Sequence, residues 1–357
     1  MASKKTGKKI FSPTDIVDAF ALDSDKDMGV KMSLFSEDHF KKKMKGVIST
    51  QCATLDAAIG RGGIPMSRVT ILHGLEGSGK STLAMHIVKQ VQQMGGVGVY
   101  IDKECKLDPD YAENIGVDIG RMYITRPKSL EGVVKVIKKT IANARKLREK
   151  SENPIPAVII VDSLNACKAF ETMETPTGKK RYPAEARIWS EELPDIVDEL
   201  SEEYVSLIFV SQVRKKMNVM FGNDEEMAGG FAPRFFASLI VYIARIGSEK
   251  DSEGNKVGNK LQAECRKNQI SQPFQKGVFS IFWNKGIDYE LSLVYQLEDM
   301  GLVKKKTATK EMKGGFIFAD KIFLGNGRMK AADYVRSNSK LRQKMMSAIS
   351  KKMKWEE

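Results

Sequence analysis

A mixed α/β fold with a mostly parallel central sheet is what this sequence predicts, on three observations. Short aliphatic runs alternate with amphipathic segments through the middle of the chain. One strand-to-helix junction carries a glycine-rich turn. Two runs, 157–162 and 206–211, are apolar on both faces, the pattern of strands covered on each side.

The elements follow in order. Residues 69–73 form a short apolar run that closes on Gly74. Residues 81–94 carry Leu83, Ile87 and Val91 at a spacing of four and stop at Gly95 and Gly96, a helix with its terminator. Strands are expected at 97–102, 122–125, 157–162 and 206–211, and helices at 130–147 and 185–200. Such alternation implies right-handed crossovers. Beyond them the helices give way to strands at 238–245, 261–267 and 278–283, joined by turns that include 251–258, an antiparallel end to the same sheet. A small lobe is expected from Asp288, with a helix at 291–300. Ahead of everything, 1–45 is a polar, charged lead-in. Within it Ser12 to Phe20 has helix-start residues, and Phe35, Phe40 and Met44 make a second amphipathic stretch.

Composition narrows the function. Of 357 residues, 42% are hydrophobic and 29% charged, a globular balance, and the net charge is +13. That excess fits either a basic surface or a polyanionic partner. It is concentrated after Leu302, where fifteen Lys and Arg face five acids. Cys52, Cys105, Cys167 and Cys265 show no metal-ligand spacing and read as reduced thiols of a cytoplasmic compartment; three scattered histidines offer no metal site. No signal-peptide run and no stretch of membrane-spanning length is present, so no membrane role is expected.

Gly74, Leu75, Glu76, Gly77, Ser78, Gly79, Lys80 and Ser81, followed by Thr82, fit the phosphate-cradling pattern GxxxxGK[ST] between a strand and a helix. Glycine lets backbone N–H groups turn inward on phosphate oxygens, and the helix N-terminus adds partial positive charge. Lys80 is placed to reach the β- and γ-phosphates of ATP and Ser81 to ligate Mg²⁺. Residues 158–163 read as an aliphatic strand ending in an acid that joins the metal site, Asp162. A second strand ends in Asp102, Lys103 and Glu104. A carboxylate there either polarises an attacking water or caps a helix, and spacing leaves both open.

Together these motifs resemble the bacterial RecA recombinase family, its phage-encoded members included, from about Lys45 to the C-terminal lobe. The resemblance implies a RecA-like P-loop ATPase core at 46–287, an N-terminal polymerisation segment at 1–45 and a small basic lobe at 288–357. Gly62 to Met66 resembles the family's lead into the phosphate-binding strand. Asp102 to Glu104 is similar to its catalytic-carboxylate motif, which gives that role to Glu104. Leu107 to Tyr111 resembles its base clamp, with Tyr111 stacking on adenine and Asp108 holding its amino group. Gln212 falls at the γ-phosphate sensor. Two DNA-binding loops are implied. One lies near 171–182, with Lys179, Lys180 and Arg181, followed by Arg187 and Ser190. The other, near 213–230, has Arg214, Lys215, Lys216, Met220, Phe221, Gly222 and Asn223 and continues to Gly229 and Gly230.

Lys267 matches one of two family lysines that reach a neighbour's ATP; Gln269 stands at the other. The tail Lys351 to Glu357 is basic where bacterial members often end acidic. The implied activity is DNA-dependent ATP hydrolysis coupled to strand exchange. The implied partners are single-stranded DNA, homologous duplex DNA, further copies in a helical filament, and single-stranded-DNA-binding and loader proteins. Basic loops with an apolar residue suit single strands, charges tracking phosphates while Phe221 meets bases.

Overall fold

The structure, a computed structural model, describes residues 45–174, 184–215, 225–227, 230–307 and 314–355, with backbone alone at 214–215 and 225–227. The predicted elements of the lead-in lie outside the described residues. The chain enters through β1 (Val47–Ile48), α1 (Ala53–Ile59) and β2 (Ile64–Pro65), then β3 (Val69–Gly74), α2 (Lys80–Gln93), β4 (Val97–Asp102) and α3 (Pro109–Ile115). It continues with β5 (Met122–Thr125), α4 (Leu130–Lys150), β6 (Ala157–Asp162), α5 (Phe170–Glu174), α6 (Ala184–Ser201) and β7 (Val205–Lys215). Next come β8 (Glu225–Met227), α7 (Phe231–Phe236), β9 (Leu239–Lys250), β10 (Lys256–Asn268), β11 (Lys276–Phe282) and β12 (Gly286–Ile287).

One large sheet runs β5-β4-β6-β7-β3-β9-β10-β11-β12. Every pair from β5 to β9 is parallel, and β9 to β12 are joined antiparallel, as the sequence predicts. All six residues of β6 and of β3 are buried, because helices cover both faces. On one face α2 sets Leu83, Ile87 and Val91 against the sheet. On the other, α4 buries Leu130, Val133, Ile137 and Ile141, and α6 buries Trp189, Leu193, Ile196 and Leu200. Trp189 meets Phe209 of β7 edge to face, with ring centroids 5.1 Å apart.

Two stretches depart from the sequence expectation. Strands β9 and β10 run on to Lys250 and back to Lys256, beyond the predicted ends. Ile246 is exposed while Val257 is half-buried and Gly258 buried among polar neighbours, so no apolar alternation marks these ends; the pairing Lys256↔Lys250 holds them. The lobe holds more structure than its one expected helix. α8 (Tyr289–Asp299) is followed by β13 (Val303–Lys306), β14 (Gly315–Phe318), β15 (Ile322–Gly325), α9 (Arg328–Arg336) and α10 (Ser339–Met353). The three strands form an antiparallel sheet, and Leu297, Phe316, Leu324, Val335 and Met345 close a core beneath it.

Asp288 anchors this lobe. Its side chain is fully buried, caps α8 by accepting from Leu291 N at 3.0 Å, and pairs with Lys285 at 2.6 Å. Arg336 of α9 donates to both of its oxygens, at 2.8 and 2.7 Å. Burial pushes the carboxyl upward, but Lys285, the cap and Arg336 outweigh it and hold the group below its ordinary value. A depressed folded-state pKa stabilises above the unfolded value and is lost as pH falls through the folded one. Asp288→Ala should therefore cost about 3 kcal/mol at neutral pH, since it strands two cations and a helix end. In urea titrations the gap between parent and variant should narrow as pH falls below about 3.9; a pH-independent gap would show that charge is not the cause.

Candidate active site

The parallel register brings the functional residues to one edge of the sheet. Gly74 lies beside Gln212, Asp102 beside Asp162, and Asp162 beside Val210. Between β3 and α2 the chain turns through the glycine-rich loop. Gly74 sits so close to β9 that a Cβ would fall 2.3 Å from Ile243 O, and Gly79 caps α2 in the left-handed region at φ 79°. Only glycine meets both demands.

Lys80 is buried, and its ammonium donates to Gly74 O at 3.1 Å and Leu75 O at 2.7 Å. Burial lowers its pKa, opposed by the negative charge of Asp162, Glu104 and Glu76. Ser81 donates to Asp162 Oδ2 at 2.6 Å, and the same oxygen accepts from the buried Tyr100 hydroxyl at 2.6 Å. Burial raises Asp162 above the ordinary carboxylate range despite those two donors. A hydroxyl and a carboxylate at a helix start are hard oxygen donors, the set Mg²⁺ takes alongside phosphates. Ser81 and Asp162 therefore fit the ion.

Glu104 joins three strand ends. Its Oε1 accepts from Ser163 Oγ, just past β6, and from Gln212 Nε2 of β7 at 2.8 Å. Its Oε2 lies 3.1 Å from Lys106 Nζ. Partial burial pushes this carboxyl up, but Ser163 and Lys106 outweigh it and the net shift is downward. Asn165 in turn holds Gln212 by its backbone, accepting from Gln212 N at 2.8 Å and donating to Gln212 O at 3.3 Å.

Lys80, Ser81, Glu104, Asp162 and Gln212 line a cavity of about 370 Å³ with Gly77, Ser78, Thr82, Tyr111 and Lys106. Asn259, Leu261, Ile281 and Trp283 of the antiparallel strands and the turn after them close its far side, a wall that the sequence reading did not foresee. Tyr111 reaches Thr82 at 3.3 Å, and Asp108 caps α3 by accepting from Asp110 N and Tyr111 N. Leu75 and Glu76 are exposed at the mouth. Lys267 does not line this cavity; it donates to Arg234 O at 3.0 Å and Phe235 O at 2.8 Å, beside a bulge in β10.

The expected DNA-contacting residues are placed in part. β7 continues past Gln212 and pairs with β8, Val213 opposite Met227 and Lys215 opposite Glu225, so the second loop springs from a β-ribbon rooted at the cavity. Arg214 and Lys215 lie on its first strand. Gly230 opens α7. Arg187 on α6 pairs with Glu171 at 3.0 Å, and Ser190 donates to Ala186 O at 2.7 Å. Lys179, Lys180, Arg181, Lys216, Met220, Phe221, Gly222, Asn223 and Gly229 lie outside the described residues.

Comparison with known proteins gives the family. The family model for the RecA N-terminal domain matches residues 17–288. The chain belongs to the RecA family. Among RecA relatives, Protein RecA of Clostridium perfringens is 33% identical over 291 residues, 82% of this chain and 78% of that protein. Protein RecA of Clostridium acetobutylicum is 32% identical over 305 residues, covering 85% of this chain and 82% of its own. The Aquifex pyrophilus protein is 32% identical over 307 residues, with 86% and 82% covered. The RecA-type core thus explains the sheet, and no helix among the described residues is long and apolar enough to cross a membrane.

Besides that far wall, the sequence reading assigned no site role to Tyr100, Lys106, Ser163 and Asn165. The cysteines offer a direct check on the geometry. Cys105 is exposed between Glu104 and Lys106; Cys52, Cys167 and Cys265 are buried, with burial pushing each thiol up to about 12. A thiol-specific reagent at pH 8 should label Cys105 alone in the folded protein and all four cysteines in denaturant. Native labelling of a second cysteine would contradict the packing.

Proposed function

We infer that this chain is an ATP-driven homologous recombinase: it polymerises on single-stranded DNA, and DNA-dependent ATP hydrolysis accompanies its pairing with a homologous duplex and the exchange of strands. The observation that carries the residue assignments is the bond from Gln212 to Glu104. It ties the wall of the nucleotide cavity to the strand from which the second loop departs.

The roles follow from positions. Residues 74–82 and the N-terminus of α2 cradle the phosphates, and Lys80 exchanges its carbonyl partners for phosphate oxygens. Ser81 and Asp162 hold Mg²⁺, which neutralises charge on the phosphates. Glu104 orients the attacking water, Gln212 registers the terminal phosphate, and Tyr111 and Asp108 hold the base. Lys267, turned away from its own chain's cavity, serves a neighbour's nucleotide in a filament. The loops carrying Lys179, Lys180, Arg181 and residues 213–230, with Arg187 and Ser190, track the single strand. Base pairing then supplies sequence specificity. The three segments act as polymerisation arm, ATPase core and basic DNA-gathering lobe, and the setting is the cytoplasm of a bacterial cell, or of the host for a phage-encoded protein.

A strand-exchange assay between a circular single strand and a linear homologous duplex tests the activity, and electron microscopy with an ATP analogue separates a helical filament from a closed ring. Lys80→Ala should abolish turnover and ATP-dependent DNA affinity. Glu104→Gln should bind ATP and DNA yet hydrolyse about 10²-fold more slowly or worse, leaving filaments that persist. In Gln212→Ala, nucleotide binding should survive while the gain in DNA affinity on adding ATP disappears. Parental hydrolysis by Glu104→Gln would move the water-orienting role elsewhere.

A further inference from the structure

Lys106 stands where no motif assigns a cation. It follows Glu104 by two positions, and Cys105 between them is left-handed, at φ 55°. The chain therefore reverses, and the two side chains meet. Lys106 Nζ lies 3.1 Å from Glu104 Oε2 and 3.6 Å from Glu76 Oε1 on the glycine-rich loop. It spans the mouth of the nucleotide cavity with a side chain that is 66% exposed. Its backbone, by contrast, is fixed. Lys106 N donates to the buried Asp102 at 3.3 Å, Asp102 is paired with Arg126 at 2.9 Å, and Lys103 N bonds Asp162 O at 2.7 Å. A flexible stem on a rigid root gives the ammonium a small, defined reach.

Three donors engage Glu104: Ser163 and Gln212 on one oxygen, Lys106 on the other. Oε2 accepts from Lys106 alone, so the ammonium there competes with a water for that oxygen. The terminal phosphate of ATP brings negative charge into this cavity, which Lys106 itself lines. ADP lacks the terminal phosphate.

We propose that Lys106 is a further catalytic residue that exchanges partners with the nucleotide: it rests on Glu104 when the terminal phosphate is missing and moves onto that phosphate when ATP binds, freeing Glu104 Oε2. The exchange makes the hydrolytic carboxylate available only when there is a terminal phosphate to cleave. It also gives the site a preference for ATP over ADP independent of Lys80, which meets both. The inference rests on the assignment of Glu104 to water orientation.

The test measures affinity for ADP and for a non-hydrolysable ATP analogue, with Mg²⁺, in the full-length Lys106→Met and Lys106→Arg variants. Losing one charge-assisted phosphate contact should weaken analogue binding by Lys106→Met about tenfold and leave ADP binding at the parental level. Lys106→Arg should restore most of the difference. Retained ADP binding shows that the variant is folded and its phosphate loop intact. The same pair measured in a Glu104→Gln background separates direct contact from positioning, and the analogue-specific loss should persist there. Equal losses for the two nucleotides, no loss, or a loss that vanishes with Glu104→Gln would each overturn the proposal. Single-turnover hydrolysis by Glu104→Gln examines the underlying assignment separately: a parental rate there, with the analogue-specific loss intact, removes Glu104 from the chemistry but leaves Lys106 on the phosphate.

Discussion

The shared register of four parallel strands is the constraint on which the rest of this molecule depends. Because β4, β6, β7 and β3 run parallel in fixed register, groups far apart in sequence converge without long side chains or buried loops. Glu104, Ser163 and Gln212 are brought into one hydrogen-bonded set by neighbouring strands alone. A slip of one residue in any of these pairings would send each strand's side chains to the opposite covered face and carry the strand-end groups out of line. The continuous burial of β3 and β6 therefore does more than stabilise; it fixes where the chemistry can be.

Charge is distributed around that edge to match. A buried ammonium, a buried carboxylate raised above its usual range and a carboxylate held below it stand in one cavity. Each departs from its solution behaviour for a nameable reason, burial for Lys80 and Asp162, and specific donors overcoming burial for Glu104. Groups so perturbed, set around a phosphate-binding loop, are what phosphoryl chemistry requires.

Legibility followed the range of the interaction. The phosphate loop is a local pattern whose meaning lies in eight consecutive residues and their flanking elements, and it was readable at once. Helix α3 is also marked in the sequence, by Asp108 as cap, Pro109 in the first turn and Gly116 as stop, although Asp108 and Pro109 were read for nucleotide contact and Gly116 was passed over. Asn165 gave no such sign. Its partner Gln212 is 47 positions away and adjacent only because β6 and β7 pair. Lys106 was hidden differently: nothing marks a lysine two residues after an acid until the left-handed turn at Cys105 folds one onto the other. In the lobe, β13 is three lysines behind one valine, with no alternation to read, and it is a strand because β14 offers it a ladder.

Strand β7 has one more consequence. It runs without interruption from the middle of the sheet, past Gln212, into the ribbon it makes with β8. The peptide after Gln212 already belongs to that ribbon, since Val213 pairs with Met227. Any change in how Gln212 is held, whether by Glu104 or by Asn165, is thus applied at the root of a lever whose far end is the loop itself. The hydrogen bonds on Gln212 and the first pair of the ribbon are one peptide apart.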